Sequence, residues 1–189
     1  MFKTITTVVA TLAVAGIALA DDAVQWTEAE GGNGHWYQLV GIPGGITWTN
    51  AASQADGTGG HMATLTSPGE NTFVVNAIDN SGSTQPWIGL YQDTAADDYN
   101  EPSGGWRWVT GEAYDWTNWD ISEPSDGGSF GSENEANIWL SGSGRTPGTW
   151  NDYRDDLPDG YVVEYSADCN GDGIVDYGQI LDGSLSDEN

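Results

Sequence analysis

Glu123-Pro124-Ser125-Asp126-Gly127-Gly128-Ser129-Phe130-Gly131-Ser132-Glu133-Asn134-Glu135 runs into the apolar Ala136-Asn137-Ile138-Trp139-Leu140, and after a Gly/Ser/Pro turn the chain reads Trp150-Asn151-Asp152. A loop this rich in glycine and side-chain oxygen cannot bury itself, whereas the aromatic segments that bracket it can. A rigid scaffold that holds out a loop in this way is the usual arrangement of a binding surface. Glu123, Asp126, Glu133, Asn134, Asn151 and Asp152 all offer hard oxygen donors, and no Lys or Arg lies between Trp108 and Leu140 to neutralise them. Such a cluster either stays solvated or collects a hard cation. Ca2+ takes about six to eight oxygens in a tolerant geometry, whereas Mg2+ demands a tight octahedron and keeps its waters. Zinc would need nitrogen or sulfur ligands, and His35, His61 and Cys169 all lie elsewhere in the sequence.

A chain of 189 residues suggests one domain with short accessories. Residues 1–20 have a charged start at Lys3, an apolar centre and the small-residue exit Ala18-Leu19-Ala20, the pattern of a secretory leader. The apolar part is shorter than the roughly 20 residues that a membrane span requires. The mature chain is expected to begin near Asp21 and to act as a secreted or extracellular protein, with no membrane span. A net charge of -25 excludes nucleic acid and anionic membrane as partners, because both need basic patches. Ten tryptophans argue against a disordered acidic chain and for a packed one. Cys169 is the single cysteine, so no internal disulfide can form, and the core and bound metal must supply the stability.

Residues 35–40 are aromatic and β-prone and end at a glycine-rich turn, which predicts a strand. Trp48, Ala51, Ala52 and Ala55 fall on one helical face, with Thr47 able to cap it and Gly57 to stop it. A short strand is expected over residues 61–66. Ser67 followed by Glu70, with Pro68 between them, predicts a capping box and a helix whose buried face carries Phe73, Val74, Ala77 and Ile78. Residues 87–91 read as a buried strand, residues 92–105 as a long acidic loop, residues 106–109 as a hairpin strand and residues 161–165 as the last strand. Most tryptophans are expected in packing, His35 and His61 in structural roles, and Asp155, Asp156 and Asp159 in a solvated turn. The layout is α+β with a loop region too long to be mere connection.

Three separated motifs carry a family resemblance. Trp87-Ile88-Gly89-Leu90 resembles the core strand of the C-type lectin-like domain, Glu123-Pro124-Ser125 its Glu-Pro-Asn tripeptide, and Trp150-Asn151-Asp152 its Trp-Asn-Asp motif. The resemblance covers residues 35–165, between a lead-in at 21–34 and an acidic tail at 166–189. It implies the C-type lectin-like fold, two helices flanking small antiparallel sheets with a long calcium-binding loop region. It further implies a Ca2+ held by Glu123, Ser125, Glu133, Asn151 and Asp152, with the Asp also giving its carbonyl. Two vicinal hydroxyls of a sugar would complete the shell, bonded as well by Glu123, Glu133, Asn151 and Asp152. Glu before the proline points to a mannose-type glycan or glycoconjugate, and the family's cis proline implies that Pro124 is cis. Ser125 departs from the family's Asn or Asp. Asp93, Glu101, Asp126 and Asn134 resemble an auxiliary calcium set. The absence of the usual four cysteines resembles extracellular bacterial members of the family.

Asp168, Asn170, Asp172, Ile174, Asp176 and Gln179 have the spacing of an EF-hand-type calcium loop, with Gly173 at its turn and Gln179 where a bidentate acid is expected. The segment resembles half of a dockerin repeat. Two alternatives to a lectin stand beside these expectations: a protein-binding adhesion or structural module ordered by calcium, and an enzyme. The enzyme is the weakest of the three, because a wet acidic loop suits no raised-pKa acid, and no nucleophilic set or phosphate loop is present.

Overall fold

The computed structural model describes residues 19–20, 22–79, 82–127 and 132–184, so the expected leader lies outside the described residues apart from its last two. Its strands are β1 (Leu19–Ala20), β2 (Val24–Gln25), β3 (Trp36–Gly41), β4 (His61–Met62), β5 (Trp87–Gln92), β6 (Trp106–Trp108), β7 (Glu135–Ile138), β8 (Trp150–Tyr153) and β9 (Gly160–Tyr165). The helices are α1 (Trp48–Asp56), α2 (Pro68–Ile78) and α3 (Asp176–Asp182). Among the described residues the sheet runs β1-β3-β9-β5-β7-β8, with β2 on β3, β4 on β9 and β6 on β5.

β3 and β9 pair antiparallel from Trp36 opposite Tyr165 to Gly41 opposite Gly160, which brings the two ends of the domain together. β5 touches β9 in parallel at Trp87 and Tyr161. From there it pairs with β6 and β7, so the strand joins the terminal half of the domain to the half that carries the long loop.

The helices start where the capping residues dictate. Thr47 Oγ1 accepts the Asn50 N–H at 3.3 Å, and α1 then buries Ala51 and Ala55, small enough to lie close against the sheet. Ser67 Oγ accepts the Glu70 N–H at 3.2 Å with Pro68 in the first turn of α2. The expected capping box closes only on that side. Glu70 instead accepts the N–H and hydroxyl of Thr66, at 2.7 and 2.9 Å, and the Tyr37 hydroxyl at 2.6 Å, inside the protein.

Two further expectations are corrected. The strand expected over residues 61–66 is confined to His61–Met62. Beyond it, Ala63 bridges β9 and β5, donating to Val162 O and accepting from Gly89 N, so the segment crosses the sheet. Within the expected lead-in, Val24 and Gln25 form a strand of the sheet, pairing with Tyr37 and Trp36. The acids after β8 are not simply solvated. Asp159 accepts from the N–H groups of Thr84 and Gln85 and from the hydroxyls of Ser83 and Thr84, while Asp155 accepts the Trp48 N–H at 2.6 Å.

One apolar cluster joins Tyr37, Leu39, Val74 and Leu90 to Trp106, Trp108 and Trp150, and a second gathers Val40, Ala51, Met62, Trp87 and Val163 beneath α1. A polar group sits inside this framework. His35, Glu70 and Glu164 bring ligand atoms within 4.8 Å of one another. Their atoms are engaged by the protein itself: His35 Nδ1 lies 2.6 Å from Glu164 Oε1, and the Thr64 N–H reaches Glu164 Oε2 at 2.8 Å. Burial works against a charge on His35, but the hydrogen bond and charge of Glu164, with Glu70 behind it, hold its pKa above the ordinary value. Both histidines have the structural placement expected, His61 bonding Ser166 and the carbonyl of Met62.

Candidate functional site

The long loop stands on tryptophan. Trp150, fully buried at the start of β8, makes T-shaped contacts with Trp108, Trp116 and Trp119 at centroid distances of 5.5, 5.2 and 5.9 Å. Its indole N–H donates to Asn71 Oδ1 at 2.8 Å, and the Asn71 amide in turn donates to Gly148 O. The backbone of Trp150 is clasped from the loop side: it donates to Asn118 O and accepts from Asp120 N, both at 2.8 Å. Asp120 O then accepts the Glu123 N–H at 3.0 Å, so the first carboxylate of the site is tied to the core two hydrogen bonds away.

From Glu123 the chain turns sharply. The Glu123–Pro124 peptide is cis, as the family resemblance implied, and Ser122 and Asp126 have φ of 75° and 53°. This turn aims the Ser125 and Asp126 N–H groups at Asp152 Oδ2, at 2.8 and 2.7 Å. Asp126 Oδ1 accepts the Glu133 N–H at 3.1 Å, which closes the loop on itself. Gly127, at φ +30°, lies under the Glu133 carboxylate, and a Cβ there would fall 2.4 Å from it. A side chain there would push the Glu133 carboxylate from this position, and the positive φ favours glycine. Residues 128–131 lie outside the described residues.

β8 supplies the other side. Asn151 and Asp152 stand opposite Asn137 and Ala136 of β7. The Asn151 amide donates to Asn137 Oδ1 at 3.1 Å and to the carbonyl of Asp152 at 2.7 Å, so the Asn151 side chain and the Asp152 main-chain oxygen meet. Asp152 is 1% exposed.

Three oxygens in this region are buried and receive no N–H or hydroxyl donor, Glu123 Oε2, Asp152 Oδ1 and Asn134 Oδ1, and the Glu123 and Asp152 carboxyls lie against each other. Burial pushes the Asp152 carboxyl up to about 6; the Asp126 and Ser125 amides oppose the shift, and the neighbouring Glu123 adds to it. Glu133 is raised by burial and by the charges of Asp152, Glu123 and Asp126. Crowded carboxylates with orphaned acceptors are what a hard cation would relieve.

Of the five residues expected around the principal ion, Glu123 lies near enough to raise Asp152 and both raise Glu133, and Asn151 meets the Asp152 carbonyl, but Glu123, Glu133 and Asp152 do not all bring ligand atoms within 4.8 Å of one another. Ser125 is placed beside them, with its N–H on Asp152 and its side chain exposed. The auxiliary set is held by different contacts. Glu101 accepts from Tyr99 OH at 2.5 Å and from Gln92 Nε2 at 3.1 Å, and Asp93 Oδ1 caps the Ala95 N–H at 2.9 Å. Asp126 and Asn134 flank Glu133 in the loop. Sequence reasoning missed Gln92, whose side chain holds Glu101 and Gly104 while its N–H holds Asn134 O at 2.7 Å. At the end of an apolar strand it gave no local signal.

The model of the lectin C-type domain matches residues 45–164, and the chain belongs to that family. Lithostathine of Bos taurus is 29% identical over 138 residues, covering 70% of this chain and 71% of that protein. Human lithostathine has a similar structure, with a TM-score of 0.59 at 17% identity over 87% of this chain and all of that one (100%). The carbohydrate-recognition domain of cow CD23, determined in the presence of a GlcNAc2Man3 oligosaccharide, gives 0.56 at 23% identity over 72% of this chain and 91% of that one. The fold is thus the α+β C-type lectin fold. The family consists of non-enzymatic binding domains, many of which bind Ca2+. No helix among the described residues is long and apolar enough to cross a membrane.

Proposed function

We propose that this chain is an exported carbohydrate-binding protein whose long loop holds a Ca2+ through Glu123, Glu133, Asn151 and Asp152, with Ser125 at the edge of the set. The observation that carries this is the pair of buried carboxyls, Glu123 and Asp152, set against each other with Glu123 Oε2 and Asp152 Oδ1 receiving no N–H or hydroxyl donor. Calcium bound there would supply open coordination positions for two vicinal sugar hydroxyls. The same side chains would bond those hydroxyls, and Glu123 ahead of the cis proline inclines the site toward mannose-type glycans. Asp126 and Asn134, with Asp93 and Glu101, form the candidate auxiliary set, supported by the orphaned Asn134 Oδ1. The leader-like N-terminus and the acidic surface suit work outside the cell.

The raised acids give a pH signature. A carboxyl whose folded pKa is raised contributes stability that is present below its ordinary value and is lost as pH rises through the folded value, about 6 for Asp152. Glu135, pushed up by burial to about 7, acts in the same direction. The metal-free protein is therefore expected to melt at a lower temperature at about pH 8 than at about pH 5. Saturating calcium should reverse that order, because the ion needs the ionised carboxylates. Melting curves in EGTA and in calcium at both pH values check this, and an unchanged order in calcium would count against the site.

A second reading, a protein-binding module ordered by calcium, draws on the exposed Ser125 hydroxyl and on Ile121, 83% exposed two residues before Glu123. A glycan array probed with the multimerised protein separates the two. Signal in calcium that EDTA removes supports the lectin. Silence in both, together with calcium-dependent stability, supports the protein-binding module.

A further inference from the structure

We infer that Asn137 of β7 is a positioning residue for the long loop: its side-chain carbonyl holds the Asn151 amide in the one orientation that leaves Asn151 Oδ1 available as a ligand. This role rests on the calcium-binding reading of the loop. Ala136, Asn137 and Ile138 are consecutive buried residues of an apolar strand, and Asn137 is 1% exposed. An amide in such a place loses stability unless both its carbonyl and its NH2 group find partners. Only the carbonyl does. Asn137 Oδ1 accepts the Asn151 amide at 3.1 Å, while Asn137 Nδ2 is buried with no acceptor. The register sets Asn137 between Asn151 of β8 and Trp87 of β5. Trp87 is fully buried, and its one side-chain polar group is a donor already bonded to Ile46 O at 2.7 Å, so the indole leaves the Asn137 NH2 unmet.

The orientation of the amide pair follows from a group that cannot donate. The Asp152 main-chain carbonyl lies 2.7 Å from the same Asn151 nitrogen, and a carbonyl oxygen only accepts. The Asn151 atom against it is therefore the NH2, and Asn137 must present its own carbonyl to that NH2 in turn. Both contacts fall on the Asn151 nitrogen, which turns Asn151 Oδ1 to the other side, where no described residue donates to it. With an apolar residue at 137, a single contact would hold the amide, and its terminal torsion has broad wells. A fixed acceptor behind a ligating side chain is how outer partners set ligand orientation. Packing alone does not account for Asn137, since a leucine has the same branched shape and no stranded NH2.

Side-chain amide NMR of the full chain, in EGTA and through a calcium titration, tests this with Asn137→Leu, Asn137→Ala and Asn137→Asp. In EGTA the Asn151 NH2 is expected to exchange about threefold to tenfold faster in the leucine and alanine variants than in the unaltered chain, the change that one net hydrogen bond carries. Calcium, followed at the Ser125 and Asp126 amides, should bind both variants about tenfold or more weakly. The metal-free melting temperature of Asn137→Leu should be no lower than that of the unaltered chain. Asn137→Asp keeps the acceptor without the stranded NH2, and should return calcium affinity to within about threefold of the original or better. An Asn151 NH2 equally protected in every variant, calcium affinity unchanged in the leucine and alanine variants, or no recovery in Asn137→Asp would overturn the role of Asn137. Ser125 and Asp126 amides that ignore calcium in the unaltered chain would overturn the calcium site itself, a result that the metal-free exchange tells apart from the others.

Discussion

Asp152→Ala is expected to abolish calcium binding in the long loop and glycan binding with it, a loss of more than about 100-fold, beyond the 10- to 100-fold typical of groups one step removed from a metal. One oxygen of Asp152 holds the Ser125 and Asp126 N–H groups, and the other is buried and receives no N–H or hydroxyl donor. The carboxylate therefore shapes the turn and faces the proposed ion at once. Alanine removes both functions. Asp152→Asn separates them, because its carbonyl can still accept one amide while the charge is gone. It should keep the metal-free melting temperature within a few degrees and still lose calcium. Calcium titration and retention on an immobilised glycan measure the two effects, and sugar binding that survives in Asp152→Ala would contradict the assignment.

Trp150→Ala carries the largest expected loss of stability, about 3–5 kcal/mol. Trp150 is fully buried, with three other indoles in T-shaped contact with it. Its removal leaves a cavity and strips Asn71 Oδ1 of its donor inside the core. The loss reaches the site, since the hydrogen bonds through Asn118 and Asp120 to Glu123 start from this residue. Chemical denaturation should show the drop in midpoint, and calcium affinity should fall although no proposed ligand has been touched. Trp150→Phe, which keeps a smaller aromatic ring and loses the N–H, should lose a smaller part of both.

Much of this site was legible because its motifs are local. A proline between two oxygen donors, a Trp-Asn-Asp strand start and a glycine-rich acidic loop each announce themselves within a few residues, and the structure makes that proline cis and sets Glu133 within the field of Glu123 and Asp152. The helix starts at Thr47 and Ser67 were legible for the same reason. What escaped depends on residues far apart in the chain. Asp159 looked like a solvated turn acid, yet it holds the segment before β5 from about 75 positions away (Thr84 lies 75 residues earlier). Glu70 looked like half of a capping box, but the hydroxyl of Tyr37, 33 residues distant, draws it into the core. Local periodicity and capping rules contain no term for such partners. The apolar run after Glu135 divides its bonds in a similar way: β7 ends at Ile138, and Trp139 and Leu140 bond the turn before β8 and Thr84.

The decisive measurement is a calorimetric titration of methyl α-mannoside into the protein, once saturated with calcium and once stripped with EDTA. A weak exothermic isotherm of about one site in calcium, in the roughly millimolar range of a single unclustered site, and none in EDTA is the expected result. Equal heats in both conditions would show that sugar is held without the ion, and would contradict the proposal that Glu123, Glu133, Asn151 and Asp152 bind sugar through calcium.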